Sequence, residues 1–390
     1  MLIGSSLHHS YIVLVGRAGA SVLHLNSEMP EVCIVEYRPR KSPPSSLFTP
    51  LSGSLHRQSF RFDTEDTGPA YTRARAAMSR ALIRLVSLSY CSTVTARQMT
   101  LITFDVDGTL VKGSGQASDA SAHARAFAHA VGGILGNGSP TPLPAEVIPR
   151  ESYHGSTDGL ISLRLAKVVL GVQPDEAAPQ LPAIFESMYR YCAELSDDEM
   201  TRGIELLPGV LETLRTLAAR DDVICGLVTG NVEGIARKKM RAVGIMATGA
   251  LARAAEEQTW AGEDDCAFLG GFGSDFCSAD LSDPARNHLD RGEQIAIAVR
   301  RCLTLLPEGA TLARVVHVGD APSDILAAKY CADAARVPPG TIVGCVGVAT
   351  GSYTAETLAK LCGEPRPGVW EPVVLERGLA DPRFVQACGV

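Results

Sequence analysis

The chain has 390 residues, of which 46% are hydrophobic and 20% charged, and its formal net charge is -7. This length and composition allow two globular domains with a sizeable core. The negative charge excludes a general attraction to nucleic acid or to an anionic membrane surface. No uninterrupted apolar run is long enough to span a bilayer. We therefore expect no nucleic-acid partner and no transmembrane segment.

The eleven cysteines are scattered without CxxC pairs or zinc-site spacing, and their number is odd. This pattern favours reduced thiols rather than a disulfide framework, as expected for a cytoplasmic protein.

Residues 1–98 differ from the remainder of the chain. They contain eleven Lys and Arg against six Asp and Glu, with little sustained periodicity. Residues 79–97 are rich in Arg and Ser and lack acids, as organelle transit peptides do. We expect a disordered or targeting extension here. The protein would be mitochondrial or plastid if translation started near Met78, and Met99 is another possible start.

The chemistry predicted for this chain centres on residues 101–109. The first four residues favour a buried strand, which the following Asp-Val-Asp-Gly-Thr cannot continue. If the strand alternation persists, Asp105 and Asp107 project to the same side. Gly108 permits a sharp turn that exposes backbone N–H groups beside the two acids. The strand is therefore expected to end in two neighbouring carboxylates.

This pattern resembles the first motif of the haloacid dehalogenase superfamily, which consists mostly of phosphatases and phosphotransferases. The resemblance extends over about residues 99–353. It implies an α/β fold: a doubly wound, mainly parallel, Rossmann-like sheet with an inserted α-helical cap. We assign residues 99–116 and 204–390 to a discontinuous catalytic core and residues 117–203 to the cap.

The cap assignment also follows from length and periodicity. More than a hundred residues separate the first motif from the next strong strand, far more than a strand-to-helix connection needs. Apolar residues recur at helical spacing in residues 121–135, 160–170 and 181–195. In the resembled family, a cap inserted at this point closes over the site and selects the substrate. The placement is similar to that in phosphoglycolate phosphatase-like members.

One turn in this segment is similar to the Gly-x-Thr-Asp turn of those caps. It implies four candidates for contact with the substrate: His154, Ser156, Thr157 and Asp158. A helix N-cap explains Ser156, Thr157 or Asp158 equally well.

A second motif follows the strand expected at residues 223–228. The strand ends in Thr229-Gly-Asn, and a helix is expected at residues 232–243. A hydroxyl beside the free N–H groups of a helix N-terminus suits a phosphate, although a simple helix cap has the same sequence. The sequence also resembles the second motif of the superfamily, which implies that Thr229, Gly230 and Asn231 hold phosphoryl oxygens.

The helix that follows carries two adjacent lysines. In the resembled family, one lysine near this point neutralises the phosphoryl oxygens and the nucleophilic carboxylate together. The resemblance implies Lys239, which comes eight residues after Asn231 as in the family pattern, with Lys238 as the alternative. Adjacent helix positions lie about 100° apart, so one of the two should face solvent.

The last motif is an apolar strand at residues 315–319 that ends in Asp320, followed by a helix from Asp324 to residue 330. It matches the GDxxxD motif of the superfamily. Before it, Gly271-Phe-Gly-Ser-Asp275 and Asp290-Arg291 are similar to a segment in one branch of the family. The role of residues 247–285 stays open.

Converging acids require a cation. Asp105, Asp107 and Asp320 would face a doubly charged phosphate, and each like-charge contact at ~4 Å costs on the order of 4 kcal/mol at an effective dielectric near 20. Hard oxygen ligands without a thiolate or imidazole cluster favour Mg²⁺. The resemblance implies that Asp105, Asp320 and the backbone carbonyl of Asp107 hold Mg²⁺, while Asp324 supports the ion or Lys239.

The resemblance implies a phosphatase that acts on a small phosphorylated metabolite, of which phosphoglycolate is the nearest named example. Asp105 would attack phosphorus, and Asp107 would protonate the leaving group and then activate water. A halide leaves without a proton, so Asp107 favours a phosphatase over a dehalogenase. A phosphomutase uses the same core residues and stays open. Retention of all the motif residues argues against a non-catalytic binding module, and the basic first hundred residues lack the aromatic residues of a nucleic-acid site.

Overall fold

In the computed structural model, the described residues are 9–16, 19–26, 33–36, 97–113, 121–149, 152, 155–245 and 269–390. The chain divides into two compact units, Met1–Thr95 and Ala96–Val390.

The described residues of the first unit form three strands that the sequence did not lead us to expect. They form a small sheet in which the first strand pairs antiparallel with the second and parallel with the third. The strands are β1 (His9–Gly16), β2 (Gly19–Asn26) and β3 (Cys33–Glu36). The boundary after Thr95 lies close to the predicted end of the extension, whose targeting role stays a prediction.

The second unit is built on a six-stranded sheet in which all neighbouring strands are parallel. The strands are β4 (Arg97–Phe104), β7 (Val223–Thr229), β8 (Gly270–Phe272), β9 (Ala310–Gly319), β10 (Ile342–Val348) and β11 (Trp370–Leu375). Their spatial order is β11-β10-β9-β4-β7-β8. This is the order of the doubly wound Rossmann fold, so the predicted fold class is confirmed. The winding reverses between β4 and β9, and such sheets bind ligands at the carboxyl ends of the two strands at that point.

Helices cover both faces of this sheet. On one face lie α7 (Val210–Ala218), α8 (Glu233–Ala242) and α12 (Phe384–Ala387); on the other lie α9 (Asn287–Leu303), α10 (Pro322–Asp333) and α11 (Ala355–Cys362). The side chains of Ile102 and Phe104 in β4 pack on the face covered by α7, α8 and α12, and that of Leu101 packs on the opposite face. All three side chains are fully buried. A strand buried on both faces must be almost continuously apolar, which explains its sequence.

The segment between β5 (Val111–Gly113) and β6 (Ile204–Leu206) is helical, as predicted. We call residues 121–201 the helical insertion. Its helices are α1 (Ala122–Leu135), α2 (Pro144–Val147), α3 (Asp158–Leu165), α4 (Pro174–Ala177), α5 (Leu181–Ala193) and α6 (Asp197–Thr201). Helix α3 continues as a π-helical turn, Ala166–Leu170. Strands β5 and β6 pair antiparallel at the base of the insertion.

The insertion has a hydrophobic cluster of its own, which includes Phe127, Leu163 and Ile184. Two residues next to the second motif, Val232 and Ile235, pack into the same cluster. Burying apolar side chains of this size stabilises by about 1.5–3 kcal/mol each. The insertion is therefore packed directly on helix α8.

Two further expectations concerned membrane-spanning helices and the state of the cysteines. Among the described residues, no helix has both the length and the apolar character required to cross a bilayer. The eight cysteines whose side chains are described are free thiols.

Candidate active site

Three acids from the first and last motifs lie together at the switch point of the sheet. Asp105 follows β4, Asp320 follows β9, and Asp324 lies in the first turn of α10. The backbone N–H of Asp105 donates to the carbonyl of Val318 at 2.8 Å, which ties the ends of the two strands together. Each acid is buried and offers one oxygen within 4.8 Å of the others. The sequence predicted Asp105 and Asp320 at this position. Asp324, which was expected to support the ion or Lys239, lies in the same group of acids.

The electrostatics of these acids call for a cation. Burial raises the pKa of Asp105 to about 6, although Arg291 opposes the shift. Burial and the neighbouring Asp324 and Asp105 raise the pKa of Asp320 well above its ordinary value. The Oδ2 atom of Asp320 is buried and has no hydrogen-bond partner. A buried acceptor without a partner is costly, and a bound cation would satisfy it.

Two glycines bring the backbone close to Asp320. A Cβ atom added at Gly108 or at Gly351 would collide with Oδ2 of Asp320. Gly108 has a φ of 93°, a left-handed conformation that glycine adopts readily. Gly351 lies in the loop after β10. The acid therefore sits in a backbone cradle that admits no larger residue on either side.

The cation beside Asp105 is Arg291. Its Nη1 donates to Oδ1 of Asp105 at 2.8 Å and to the carbonyl of Val228 at 3.0 Å, and its Nε lies 3.6 Å from Oδ1 of Asp324. The family resemblance had implied that Lys239 would neutralise this carboxylate. Arg291 belongs to a buried polar face of α9, formed at helical spacing by Asn287, Asp290, Arg291 and Gln294. The sequence shows the spacing of these residues but not their burial.

Lys239 instead binds Asp107. Its Nζ donates to Oδ1 and Oδ2 of Asp107 at 2.9 Å and 2.8 Å. Lys239 is buried, while its neighbour Lys238 pairs with Asp197 at 3.1 Å. Of the two lysines, Lys239 is thus the one that contacts Asp107, and its contact with a phosphoryl group stays a prediction.

The turn after Asp105 explains why the two acids have different partners. The N–H groups of Leu110 and Val111 both donate to the carbonyl of Val106, so the chain curls and the strand alternation ends. The side chain of Asp107 is about half exposed and turned towards α8. The partial burial of this carboxyl would raise its pKa. The charges of Lys239 and His123, together with hydrogen bonds from Lys239 and Asn231, instead lower the pKa of Asp107 to about 2.

Asn231 joins the second motif to this ion pair. Its Nδ2 donates to Oδ2 of Asp107 at 2.9 Å and to Oγ1 of Thr229 at 3.1 Å, and its Oδ1 accepts a hydrogen bond from Lys239 at 2.8 Å. Gly230 lies against the insertion, where an added Cβ would collide with the carbonyl oxygen of Ser156. Thr229, Gly230 and Asn231 therefore lie beside Asp107, and their contact with phosphate stays a prediction.

Three of the four candidate residues of the insertion make hydrogen bonds to other residues of the protein. Oγ1 of Thr157 accepts the N–H of Leu160 at 3.4 Å, which makes Thr157 the N-cap of α3. Oγ of Ser156 accepts a hydrogen bond from Arg164 at 3.0 Å, and Oδ2 of Asp158 accepts the N–H of Val232 at 2.7 Å. The helix-cap interpretation therefore holds for Thr157. His154 lies outside the described residues.

Two histidines were not foreseen from the sequence. His123 of α1 lies 3.2 Å from Nζ of Lys239 through Nδ1 and 2.8 Å from Oδ2 of Asp158 through Nε2. His317 of β9 is fully buried, 3.1 Å from Oγ1 of Thr103 and 3.3 Å from Oδ1 of Asp324. Burial would raise the pKa of Asp324, but Arg291 and His317 lower it.

The fold and the site together define a class of protein: a doubly wound α/β protein with acids at the strand ends and a helical insertion after the first core strand. A family model described as haloacid dehalogenase-like hydrolase matches residues 99–331, more than half of the chain. The chain belongs to this family.

Two solved structures are similar to the chain. The β-phosphoglucomutase of Clostridium difficile has 15% identity and a TM-score of 0.39, with 74% of this chain and 96% of that chain covered. The archaeal β-phosphoglucomutase of Pyrococcus sp. strain ST 04 has 17% identity and a TM-score of 0.30, with 68% and 99% covered. A search of curated proteins gives no significant match.

Proposed function

We propose that the protein is a Mg²⁺-dependent phosphatase that hydrolyses a small phosphorylated metabolite, phosphoglycolate-like in chemistry, through an aspartyl-phosphate. The observation that carries this proposal is the environment of Asp105. It is a buried carboxylate at the end of the first core strand, beside two further acids and within 2.8 Å of the Arg291 guanidinium. Such a carboxylate can approach phosphorus only where cations offset the charge of the phosphate.

The acids fit a hard divalent cation. All the side-chain ligands offered are carboxylate oxygens, and one of them, Oδ2 of Asp320, has no other partner. Asp105, Asp320 and Asp324, with the backbone carbonyl of Asp107, would hold the ion. When bound, Mg²⁺ supplies positive charge that offsets the phosphoryl oxygens and the acids.

The reaction proceeds in two steps. In the first, an oxygen of Asp105 bonds to phosphorus while the bond from phosphorus to the ester oxygen breaks, and that oxygen takes a proton from Asp107. In the second, a water oxygen attacks the aspartyl-phosphate, gives a proton to Asp107, and the Asp105 carboxylate is released. Thr229, Lys239, Arg291 and backbone N–H groups near Gly108 and Gly230 hold the phosphoryl oxygens. In its pair with Lys239 the pKa of Asp107 is lowered to about 2, which gives the ionised form that the second step needs. For the first step Asp107 must leave this pair and take up a proton, which it then gives to the ester oxygen.

Residues 117–203 serve as the cap that selects the substrate. The support for this role is contact with the second motif: the N–H of Asp158 donates to the carbonyl of Gly230 at 2.8 Å. A cap that touches this turn can sense whether the phosphoryl group is bound beside it.

The test is release of phosphate from a panel of phosphorylated metabolites, with and without Mg²⁺. Asp105→Asn serves as the blank, because it preserves shape and removes the nucleophile. We expect Mg²⁺-dependent release by the wild type and none by the variant. Conversion of a sugar phosphate to its isomer without release of phosphate would instead assign a phosphomutase. Absence of turnover of every compound in the panel would favour the alternative that the protein is a non-catalytic binding module.

A further inference from the structure

A buried histidine of β9 connects two strands and a helix beside the group of acids. His317 lies 3.1 Å from Oγ1 of Thr103 through Nδ1 and 3.3 Å from Oδ1 of Asp324 through Nε2. All three side chains are fully buried. The nearest residues on the same face of the two strands, Leu101 and Val315, belong to the apolar layer beneath α10. A polar cluster inside an apolar layer is costly unless its hydrogen bonds are made.

Strand alternation explains how His317 reaches a helix. Side chains two residues apart share a face, so His317 and Gly319 both point towards α10. A Cβ atom added at Gly319 would lie 2.3 Å from Cγ of Asp324. Because Gly319 has no side chain, the first turn of α10 rests directly on the end of β9. The preceding side chain on this face, that of His317, is therefore adjacent to the Asp324 carboxylate.

The orientation of this carboxylate depends on two donors. Oδ2 of Asp324 accepts the N–H of Ala321 at 3.0 Å, and Oδ1 accepts from Nε2 of His317. Within the described parts of the chain, His317 is the only hydrogen-bond donor to Oδ1. Nε of Arg291 lies 3.6 Å from this oxygen and makes no hydrogen bond. The arginine attracts the carboxylate, whereas the two hydrogen bonds fix its rotation about the Cβ–Cγ bond.

The hydrogen positions follow from the groups involved. An ionised carboxylate only accepts hydrogen bonds, so Nε2 of His317 must carry a hydrogen. The hydroxyl of Thr103 then donates to Nδ1, which is nearer than its other acceptor, the carbonyl of Val316 at 3.3 Å. Both ring nitrogens of a neutral imidazole are thereby satisfied. Thr103 thus selects the form of the ring that donates to Asp324.

We propose that His317 is a positioning residue for Asp324 as a ligand of Mg²⁺, and that Thr103 holds the imidazole in the donating form. A carboxylate with a fixed rotation offers its oxygen to the ion without further ordering. Neither His317 nor Thr103 contacts the phosphoryl group in the proposed reaction. This inference rests on the Mg²⁺ site of the proposed function, but it does not depend on which ester the protein cleaves.

The experiment measures Mg²⁺ affinity by calorimetric titration of the full chain, without substrate. His317→Leu removes the donor, whereas His317→Gln places an amide N–H near the position of Nε2. We expect the first variant to weaken Mg²⁺ binding by about 10–100-fold and the second by less than about fivefold, as for other residues that orient metal ligands. Thr103→Val keeps the side-chain shape and removes the hydroxyl, so it should weaken binding in the same direction but by less than His317→Leu.

Thr341→Val is the matched control for Thr103→Val. Thr341 is also buried, and its hydroxyl donates to the carbonyl of Leu312 at 2.8 Å. It precedes β10 and so lies at the opposite end of the sheet from the acids. We expect unchanged Mg²⁺ affinity in this variant. Thermal unfolding without Mg²⁺ shows whether each variant is folded, and loss of stability without loss of affinity would reduce His317 to a structural role and overturn the inference.

A second measurement tests the histidine in the wild type, even if His317→Leu does not fold. Side-chain ¹⁵N shifts distinguish the protonation forms of the ring, and the His317→Gln spectrum identifies the signals of His317. We expect a hydrogen on Nε2, and a ring without one would overturn the inference. Equal Mg²⁺ affinity in the wild type and all variants would overturn it while leaving the proposed function intact. Absence of Mg²⁺ binding by the wild type would overturn both.

Discussion

Arg291 and Asp105, 186 residues apart in sequence, are joined by a hydrogen bond of 2.8 Å between Nη1 and Oδ1. The arginine comes from α9 on one face of the sheet, whereas the lysine that pairs with Asp107 comes from α8 on the other. Each acid of the first motif therefore has its own cation. A guanidinium stays charged at every accessible pH, and its planar fork can hold a carboxylate and a phosphoryl oxygen together.

The first prediction concerns Arg291. Arg291→Met should lower kcat/KM for phosphate release by roughly 10²–10³-fold, because it removes a buried donor aimed at the reacting groups. Arg300→Met is the matched control, since Arg300 lies on the same helix and is exposed. Surface substitutions of this kind change stability by less than about 0.5 kcal/mol. Equal activity of the two variants would show that Arg291 has no part in the reaction.

The second prediction concerns the pH dependence of Mg²⁺ binding. The pKa of Asp105 is raised to about 6 and that of Asp320 is raised well above its ordinary value, so both acids bind protons more tightly than free carboxyls. A cation binds the ionised forms, so its affinity should fall as the pH drops through about 6, and binding should release protons. Calorimetric titration in two buffers of different ionisation enthalpy measures both effects. Affinity that is constant between about pH 5 and about pH 8, without proton release, would contradict the assignment of these acids.

The third prediction uses a pair of glycines. Gly351→Ala places a methyl group against Asp320, so Mg²⁺ affinity should fall by about tenfold or more as the ligand is displaced. Gly133→Ala is the control, because an added Cβ there meets nothing within 4 Å. It lies within helix α1, so this exchange should stabilise by about 0.5–1 kcal/mol. Thermal unfolding measures the change in stability, and calorimetry measures the Mg²⁺ affinity. Unaltered Mg²⁺ affinity in Gly351→Ala would show that the close approach of Gly351 to Asp320 does not matter for the ion.

The fourth prediction compares neighbouring lysines. Lys239→Met keeps the apolar stem and removes the ammonium that pairs with Asp107, so the pKa of Asp107 should rise from about 2 towards its ordinary value. Phosphate release should fall by roughly 10²-fold, as after loss of one donor to the reacting groups. Lys238→Met removes a pair with the exposed carboxylate of Asp197, away from Asp107, and such pairs are worth about 0–1 kcal/mol. A similar loss of phosphate release in both variants would show that Lys239 has no specific role in the reaction.

The elements that the sequence predicted well are those whose signals are local. The strands at residues 223–228 and 315–319 and the helix at residues 232–243 are present within a few residues of their expected bounds. Apolar runs and caps specify such elements over short windows. Of the two adjacent lysines, Lys239 contacts Asp107 and Lys238 pairs with Asp197. This agrees with the expectation that neighbouring helix positions face different ways, whereas the choice of Lys239 came from the family resemblance and its role stays a prediction.

The partners within the site were harder to predict. Strand alternation was extended beyond Phe104 to place Asp105 and Asp107 on one side, but the turn at Gly108 ends the alternation. Arg291 was noted only as part of a similar segment, since a buried arginine cannot be told from a surface arginine without its neighbours. His123 is 116 residues from Lys239, and nothing in either local sequence signals their contact.

The sequence by itself determined the doubly wound core, the order of the motifs and the acids at the ends of β4 and β9, because strand and helix signals reside in neighbouring residues. The tertiary structure alone decided which cation serves which acid, and that a carboxylate of the insertion caps a core helix. Those contacts join segments that are distant in the chain, and their geometry depends on how helices α8 and α9 pack on opposite faces of one sheet.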